Sequence, residues 1–465
     1  MKKKSIAFII FCMVACLIPL AGMTVRPTTE STENRRMSTF PSALNEDGSL
    51  NKELFSEFDT YFNEHFSFRN ELLYADARIQ GDVFGVSSVD SVVFGSDGWL
   101  YYRSTLDDYL GSAPLSDREL YCIRQNLEIA RNYAEEQGSS FLLVVPPNKN
   151  TLYGKNMPYY DSIKTGVAHN IDRLQPLLKK NGIPYADLTD MFRNESETLY
   201  LKRDSHWNAK GALMAYNLIM DELDVAHDNY AESTVLRAKN EDGDLNRMLY
   251  TFYGEKEMNY YYDIGQDYSY VTDTESVEDA WIETECPNAQ GTLLMFRDSF
   301  GNTLIPLFAN QFSSAWFTKE GQYRLEKLLD EYNPDAVVFE KVECNLKDFL
   351  VSPPILTAPE EEITPDESKD SDTSITAEPF EFDINYCVIR GAVDASLISE
   401  TTDVYVQING KTYKAYLTGE KDYTAFFRKD KLPDEDTLDV CILVNDNGKA
   451  YNIAYTTIQK GDLEH

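Results

Sequence analysis

The fold of this chain is decided by one stretch, Thr292-Leu293-Leu294-Met295-Phe296-Arg297-Asp298-Ser299-Phe300-Gly301-Asn302. Its first five residues form an apolar run that predicts a buried strand, and a second apolar run from Thr303 predicts a helix. A strand, a tight turn and a helix in this order expose the serine of the turn, Ser299, at the carboxyl end of the strand. The N–H groups that begin the helix lie beside that serine, where they can stabilise negative charge.

The alternation of strands and helices extends over residues 115–350. We predict strands at 140–145, 183–188, 292–296, 313–317 and 336–340, and helices at 115–137, 162–180, 210–223, 303–311 and 320–332. Such alternation predicts an α/β fold with a parallel sheet and helices on both faces. Ligands bind beyond the carboxyl ends of strands in these folds, where Ser299 and the loop with Asn148 and Lys149 are expected.

His206 is the candidate base for Ser299. The chain has five histidines, and only His206 lies in a block that also holds an acid, a Trp and an Asn: Arg203-Asp204-Ser205-His206-Trp207-Asn208. A serine hydroxyl needs a histidine to take its proton and a carboxylate to hold that imidazole. We therefore expect Ser299, His206 and Asp204 to form a catalytic triad. Two simpler interpretations stay open, because Asp298-Ser299 could only cap a helix and His206 could be a core residue.

The two motifs together resemble the DHHW family, which groups with the alginate O-acetylation proteins of the SGNH hydrolase-like superfamily. Further motifs agree in order over about residues 30–350: Glu33-Asn34-Arg35-Arg36, His65-Phe66-Ser67-Phe68-Arg69, Gly95-Ser96-Asp97-Gly98-Trp99-Leu100-Tyr101, Val145-Pro146-Pro147-Asn148-Lys149 and Val337-Val338-Phe339-Glu340. Two positions depart from the pattern. Ser205 stands where the family name writes His, and Arg297 stands where many SGNH proteins have Gly.

The resemblance implies an SGNH hydrolase-like three-layer fold and O-acetyl transfer to a cell-surface or secreted polysaccharide. It implies an acyl-serine intermediate, a membrane-bound O-acyltransferase as acetyl source and no cofactor. Substrate-binding or oxyanion residues are expected among Asn302, Asn148, Lys149, Trp207 and Arg297, although Asn302 could equally be structural. A carbohydrate acetylesterase, in which water replaces the sugar, stays open. So does a non-catalytic glycan-binding export or assembly factor.

Charge and cysteine content exclude some classes of partner. The net charge of −34 argues against nucleic acid and anionic lipid, because both need basic patches. The seven cysteines form no Cys-x-x-Cys pair or Cys/His cluster in the sequence, so the spacing predicts no metal site. A disulfide between Cys387 and Cys441 is compatible with the sequence but is not predicted.

Residues 1–23 read as a membrane-targeting segment. Three lysines follow Met1, and apolar residues then continue from Ile6 to Ala21. Roughly twenty apolar residues are enough to span a bilayer. We expect an uncleaved membrane anchor, with a cleaved signal peptide as the alternative. In either case the bulk of the chain is expected outside the cytoplasm, secreted if cleaved.

The remaining segments complete the predicted domain organisation. Residues 24–114 are predicted to extend the catalytic domain of residues 115–350, with a polar extended start, a helix over 52–78 and a hairpin over 91–102. An excursion at 227–285 could cover the cleft. Residues 351–379 are rich in Pro and acids and predict a disordered linker. Residues 380–465 contain about seven short strands and predict a small all-β, sandwich-like accessory domain that folds alone.

Overall fold

The computed structural model of the chain describes residues 2–23, 38–45, 49–250 and 255–463. These residues divide into two compact units. The first consists of Met1–Arg103, Leu201–Ser205 and Ala238–Asn259, and the second of Ser104–Tyr200, His206–Arg237 and Tyr260–His465. The motif at 33–36 and most of the extended start predicted for the N-terminal extension lie outside the described residues.

The helices of the described chain vary from one turn to six turns. They are α1 (Lys2–Gly22), α2 (Leu54–His65), α3 (Arg69–Arg78), α4 (Leu106–Leu110), α5 (Asp117–Glu136), α6 (Lys149–Tyr153), α7 (Pro158–Asp161), α8 (Asn170–Lys180), α9 (Leu188–Arg193), α10 (Ala209–Glu222), α11 (Asp244–Leu249), α12 (Ile305–Ala309), α13 (Leu325–Tyr332) and α14 (Asp348–Val351). Among them, none combines the length and the apolar character that crossing a bilayer requires.

The strands fall into a central sheet, two C-terminal sheets and two small pairs. They are β1 (Val92–Phe94), β2 (Leu100–Tyr102), β3 (Ser140–Val144), β4 (Tyr185–Ala186), β5 (Val235–Glu241), β6 (Glu257–Tyr262), β7 (Ser269–Tyr270), β8 (Trp281–Glu285), β9 (Thr292–Phe296), β10 (Ser314–Thr318), β11 (Ala336–Glu340), β12 (Glu367–Ser368), β13 (Thr376–Pro379), β14 (Tyr386–Ala392), β15 (Asp403–Ile408), β16 (Lys411–Lys414), β17 (Tyr416–Leu417), β18 (Asp422–Arg428), β19 (Thr437–Asp446) and β20 (Lys449–Gln459).

The central sheet places the predicted nucleophile strand, β9, in its interior. The strand order is β4-β3-β11-β9-β10-β8-β7. The first five run parallel, whereas β8 is antiparallel to β10 and β7 is antiparallel to β8. The five strands predicted from the sequence are the five parallel ones, so the prediction of a parallel sheet is confirmed for them, and the 227–285 excursion adds two antiparallel strands that were not predicted. β8 pairs with the edge of β10, which would otherwise expose unpaired backbone groups, and β7 pairs with β8.

Alternating side chains of β9 face two different helix layers, as expected for a central strand. Leu294 and Phe296 pack into a core with α5, α8 and α13. Leu293 and Met295 pack into a second core with α10 and α12. All four side chains are at most 1% exposed. The sheet therefore lies between two helix layers, and the three-layer α/β prediction is confirmed.

Several predicted helices have different bounds in the structure. The capping box that Ser116 and Glu119 predict is present at the start of α5. The helix predicted over 52–78 is interrupted between α2 and α3, where Phe68 has a left-handed φ of 64°. The helix predicted from residue 162 begins only at Asn170. The hairpin predicted over 91–102 is present as β1 and β2.

The C-terminal region forms two antiparallel-rich sheets, with the strand orders β12-β20-β19-β15-β16 and β13-β14-β18-β17. They pack as a sandwich, and one hydrophobic core continues from their strands to α5. The region shares buried residues with the α/β layers, and the expectation that residues 380–465 fold alone stays a prediction. Cys387 lies on β14 and Cys441 on β19, and both thiols are free.

The segment predicted as a disordered linker is folded, and the structure corrects that prediction. Ile355, Leu356 and Ala358 are at most 4% exposed and join the shared core. The N–H of Thr357 donates to the buried carboxylate of Glu326 at 2.6 Å. Composition suggested disorder because the segment holds few apolar residues. The few apolar residues of the segment lie near its start, where the shared hydrophobic core covers them.

Candidate active site

Ser299 lies three residues after the end of β9 and immediately precedes a 3₁₀ turn at Phe300–Thr303. The turn is held by Asp298, whose carboxylate accepts the N–H of Phe300 at 2.8 Å and that of Val342 at 2.8 Å. The Ser299 side chain makes no capping hydrogen bond. One simple interpretation of the sequence was that Asp298-Ser299 only caps a helix. In the structure Asp298 alone provides the capping hydrogen bond, and the Ser299 hydroxyl does not take part in capping.

Gly301 allows the turn to fold tightly against its neighbours. A Cβ atom at this position would lie 2.7 Å from Arg297 Cβ and 2.9 Å from Glu340 Oε2. Neither contact is tolerable without displacement of the turn. The glycine is therefore required by close approach, and it fixes how Ser299 sits at the end of β9.

His206 lies next to Ser299 although 93 residues separate them in the sequence. The distance from His206 Nε2 to Ser299 Oγ is 2.8 Å, which is hydrogen-bond length. The imidazole packs against the Phe300 ring at 4.8 Å between centroids. Both groups are partly exposed, so the pair is accessible to a ligand. The predicted proximity of these two side chains is confirmed.

The backbone around His206 is fixed by residues that follow it. Asn208 caps α10 by accepting the N–H of Gly211 at 3.0 Å, and its own N–H donates to Leu199 O at 2.7 Å. Trp207 is 2% exposed and donates its indole N–H to Thr303 Oγ1 at 2.7 Å. Trp207 is therefore a core side chain, and the expectation that it binds substrate stays a prediction.

Asp204 belongs to the first compact unit. Its side chain is buried, at 8% exposed, and its Oδ2 accepts the backbone N–H of Asp244 at 2.8 Å. This hydrogen bond fixes the carboxylate with respect to its own loop. The role of Asp204 as the residue that orients the imidazole stays a prediction.

Asp244 and Gly243 are two residues of this loop that sequence reasoning missed. Asp244 accepts the N–H of Ser205 at 2.7 Å and also its hydroxyl. A Cβ atom at Gly243 would lie 2.2 Å from Arg203 O, so only glycine fits there. The Gly243-Asp244 pair at the start of α11 was the available signal, since Gly and Asp commonly begin helices. The departure at Ser205 thus has a structural explanation.

Arg297 and Asn302 form a buried pair behind the Ser299 turn. Arg297 is 2% exposed and donates through Nη1 to Asn302 Oδ1 and through Nη2 to Asp279 O. Burial lowers the pKa of Arg297 to about 10, while the charges of Glu340 and Glu278 oppose that shift. The structure makes Arg297 a support for Asn302, and a direct contact of Arg297 with substrate stays a prediction.

The Arg297 contact also determines which way the Asn302 amide faces. A guanidinium can only donate hydrogen bonds, so the amide oxygen must face Arg297 and the NH₂ group must face away. That NH₂ group acts on Glu278, a carboxylate that sequence reasoning missed. Burial alone would raise the pKa of Glu278, but Lys319, Asn302 and the charge of His206 lower it. Asn302 and the charge of His206 therefore both lower the pKa of the same carboxylate.

Asn148 and Lys149 follow β3 as predicted but point into the protein. They are 1% and 4% exposed. The N–H of Asn148 donates to Glu343 Oε2 at 2.7 Å, and its Oδ1 accepts the N–H of Cys344 at 3.2 Å. Asn148 organises the loop after β11 and Lys149 is an interior residue, so their role in substrate binding stays a prediction.

The domain consists of a sheet between two helix layers, and a Ser–His pair lies at the carboxyl end of β9. These features are those of an enzyme domain of the SGNH hydrolase-like class. Within that class, residues 92–288 match the family described as ALGX: SGNH hydrolase-like domain, acetyltransferase AlgX. Ser299 lies beyond the matched residues, and His206 lies within them. No curated protein matches the chain.

The comparison with solved structures also found similar chains. PatB1 of Bacillus cereus with a sulfonyl adduct is 18% identical, at a TM-score of 0.43, over 55% of this chain and 95% of that one. A DHHW family protein from Eubacterium siraeum is 14% identical, at a TM-score of 0.40, over 48% and 85%. AlgX of Pseudomonas aeruginosa is 13% identical, at a TM-score of 0.35, over 78% and 94%.

Proposed function

We propose that this chain is an O-acetyltransferase that acetylates a polysaccharide through an acetyl-Ser299 intermediate. The observation that carries the proposal is the 2.8 Å distance between His206 Nε2 and Ser299 Oγ. The match of residues 92–288 to an acetyltransferase family supports the acyl group and the kind of acceptor. A serine beside a histidine is the arrangement that acyl transfer requires.

In the first step Ser299 takes the acetyl group from its donor. His206 Nε2 accepts the hydroxyl proton while Oγ attacks the acetyl carbonyl carbon. The bond from that carbon to the donor then breaks, and the imidazolium returns the proton to the leaving group. Asp204 is proposed to hold the imidazole so that Nε2 is the unprotonated nitrogen.

In the second step a sugar hydroxyl takes the acetyl group from Ser299. His206 accepts the proton of that hydroxyl as the oxygen attacks the ester carbon. The bond to Ser299 Oγ breaks, and Oγ regains its proton from His206. The same two steps with water as acceptor would release acetate, so the Ser–His geometry also serves an esterase.

Each step passes through an oxyanion that needs hydrogen-bond donors. The N–H of Phe300 is already bonded to Asp298, and that of Asn302 points to Ser299 O at 3.3 Å. We therefore assign the oxyanion to the backbone N–H of Ser299 and the NH₂ group of Asn302. Arg297 supports this role because it fixes the amide oxygen on the opposite side.

The test uses the full chain, an activated aryl acetate and a panel of oligosaccharides. We expect acetyl-Ser299 in the mass spectrum of the trapped protein, and transfer of the acetyl group to at least one oligosaccharide. The control is Ser162→Ala, since Ser162 is an exposed serine whose hydroxyl donates to Tyr159 O. This variant should behave like wild type.

Three outcomes separate the candidate functions. Acetylated sugar from wild type but not from Ser299→Ala supports transfer. Acetate release at an unchanged rate with every oligosaccharide replaces transfer with an acetylesterase. Equal, low acetate release by wild type and Ser299→Ala would leave the non-catalytic glycan-binding factor as the function.

We also propose that the chain works outside the cytoplasm with residues 1–23 as its membrane anchor. The support is the lysine cluster at residues 2–4 and the apolar residues that follow it. A membrane-bound O-acyltransferase is the proposed acetyl source. Externally added protease should digest the chain in intact cells or spheroplasts, and carbonate extraction should leave it in the membrane. Protection from the protease would refute the location.

A further inference from the structure

Three side chains outside the Ser–His site converge on one point in the second unit. Asp108 on α4, His169 just before α8 and Glu343 after β11 each place a ligand atom within 4.8 Å of the other two. Asp108 Oδ2 lies 3.0 Å and Glu343 Oε1 lies 3.7 Å from His169 Nδ1. Asp108 is 8% exposed and Glu343 is 1% exposed.

Each carboxylate in this cluster is anchored through its other oxygen. Asp108 Oδ1 accepts the N–H of Asn170 at 2.9 Å. Glu343 Oε2 accepts the N–H of Asn148 and the hydroxyl of Thr151, both at 2.7 Å. One oxygen of each residue is thus fixed by the protein, and the second oxygen is directed at the imidazole. Metal-binding carboxylates are commonly held in this way.

The buried oxygen of Glu343 that faces the cluster lacks a hydrogen bond. Among the described residues, Glu343 Oε1 is a fully buried side-chain oxygen without a hydrogen-bond partner. Leaving such an atom unsatisfied is costly, and a cation bound there would satisfy it. This oxygen is an observation separate from the clustering of the three residues, and it points to a ligand.

We propose that Asp108, His169 and Glu343 bind a divalent transition-metal ion, with Zn²⁺ as a suitable probe. Donor atoms of a tetrahedral zinc ion with bonds of about 2.0–2.1 Å lie roughly 3.3 Å apart. The separations of 3.0 Å and 3.7 Å from His169 Nδ1 bracket that value. One imidazole nitrogen and two carboxylate oxygens suit zinc, and two carboxylates balance the charge of a divalent ion.

Such an ion would join three separate segments to the strand end that supports Ser299. Glu343 follows Val342, whose N–H donates to Asp298 Oδ2 at 2.8 Å. Asp298 in turn holds the turn that carries Ser299. The ion would therefore stabilise the position of the turn that carries Ser299. His169, whose side chain is 17% exposed, is on the side from which solvent reaches the cluster.

The test measures zinc binding to the full chain after dialysis against a chelator. We expect one Zn²⁺ per chain by calorimetry, and an increase in Tm with added Zn²⁺. Glu343→Gln and His169→Gln should each weaken binding by on the order of 100-fold, because each removes one of three ligands. The matched control is His227→Gln, since His227 bonds to Val225 O and Asn217 Oδ1 rather than to a carboxylate.

A second measurement guards against variants that fold poorly. Wild-type protein loaded with Cu²⁺ should show electron paramagnetic resonance coupling to one nitrogen, and His227→Gln should keep the signal. The proposal is wrong if wild type binds no stoichiometric Zn²⁺, or if Glu343→Gln binds it as tightly as wild type. It is also wrong if the copper signal requires His227 and not His169.

Discussion

The backbone N–H of Asp298 donates a hydrogen bond of 2.9 Å to Glu340 Oε2, at the base of the turn that carries Ser299. Glu340 is 0% exposed on β11, next to the carboxylate of Asp298. Burial and the charge of Asp298 together raise the pKa of Glu340 well above that of an ordinary carboxyl. The raised pKa favours the protonated form of Glu340, which reduces the repulsion between the two acidic side chains.

Glu340→Gln should therefore affect stability in a pH-dependent way. A raised pKa in the folded state means that stability is fully present below the ordinary value of 4.5 and is lost as the pH rises through the folded pKa. Glutamine imitates the protonated acid at every pH. We expect the Tm of the variant to equal that of wild type near pH 5 and to exceed it at pH 9.

Glu326→Gln is the matched control, because Glu326 is equally buried but has cationic and hydroxyl partners. Burial alone would raise the pKa of Glu326, but hydrogen bonds from Lys431, Thr357 and Tyr386 lower it. The ionised Glu326 carboxylate stabilises the fold above pH 4.5, its ordinary pKa, and this stabilisation is lost as the pH falls through the pKa of the folded state. The Gln variant should thus be less stable than wild type at pH 7, with the difference shrinking in acid. Parallel pH profiles for the two variants would contradict both assignments.

Loss of either member of the Ser–His pair should abolish acylation by an aryl acetate. We expect Ser299→Ala and His206→Ala each to lower kcat/KM by about 10³-fold or more, and the double variant to be no worse. Asp204→Asn should cost less, because its proposed role is orientation and charge stabilisation. Stopped-flow release of the phenolate gives the rates. Additive losses in the double variant would show that the two residues do not act as a unit.

Asn302→Asp keeps the oxygen that accepts a hydrogen bond from Arg297 and removes the NH₂ group that is proposed to donate to the oxyanion. The new carboxylate can still accept from Arg297 Nη1, so the fold should be retained. It cannot donate to an oxyanion and adds a negative charge beside it, so kcat should fall by about 10²-fold or more. Unchanged kcat in a well-folded variant would remove Asn302 from the oxyanion site. Tm and kcat are measured on the same preparation.

Gly301→Ala should displace the nucleophile turn. The added methyl group would lie 2.7 Å from Arg297 Cβ, and overpacking of this kind costs about 1–3 kcal/mol. We expect a lower denaturation midpoint and a loss of Ser299 acylation. Gly321→Ala is the control, because a Cβ at that position meets no atom within 4 Å. Equal stability of the two alanine variants would contradict the close-packed turn.

Asn126→Ala tests how firmly the C-terminal sheets are joined to α5. The Asn126 amide donates to Phe349 O at 2.9 Å and to Leu417 O at 2.8 Å, and it accepts the N–H of Leu417 at 3.0 Å. Removing the amide takes a hydrogen-bond partner from three buried backbone groups, which should lower the free energy of unfolding by roughly 3 kcal/mol or more. The exposed Asn194→Ala serves as control. A single cooperative unfolding transition in wild type is expected, and two separate transitions would instead indicate independent domains.

The sequence alone determined the features that local chemistry controls. The apolar run at 292–296 predicted β9 to the residue, because a strand buried on both faces needs apolar side chains at every position. Ser116 and Glu119 predicted the start of α5, because a capping box satisfies backbone N–H groups within one turn. The residue types at 206 and 299 also predicted a Ser–His pair, and the structure places these two side chains at hydrogen-bond distance.

Tertiary structure decided which side chains meet and which are buried. The sequence could not distinguish a substrate-binding Trp207 from a core Trp207, because burial depends on the partners that the fold supplies. The same holds for Glu340, whose proton depends on the nearby Asp298, and for the convergence of Asp108, His169 and Glu343. The acidic segment at 351–379 was misjudged for this reason. Composition measures how much apolar surface a segment has, whereas order depends on whether another surface covers it.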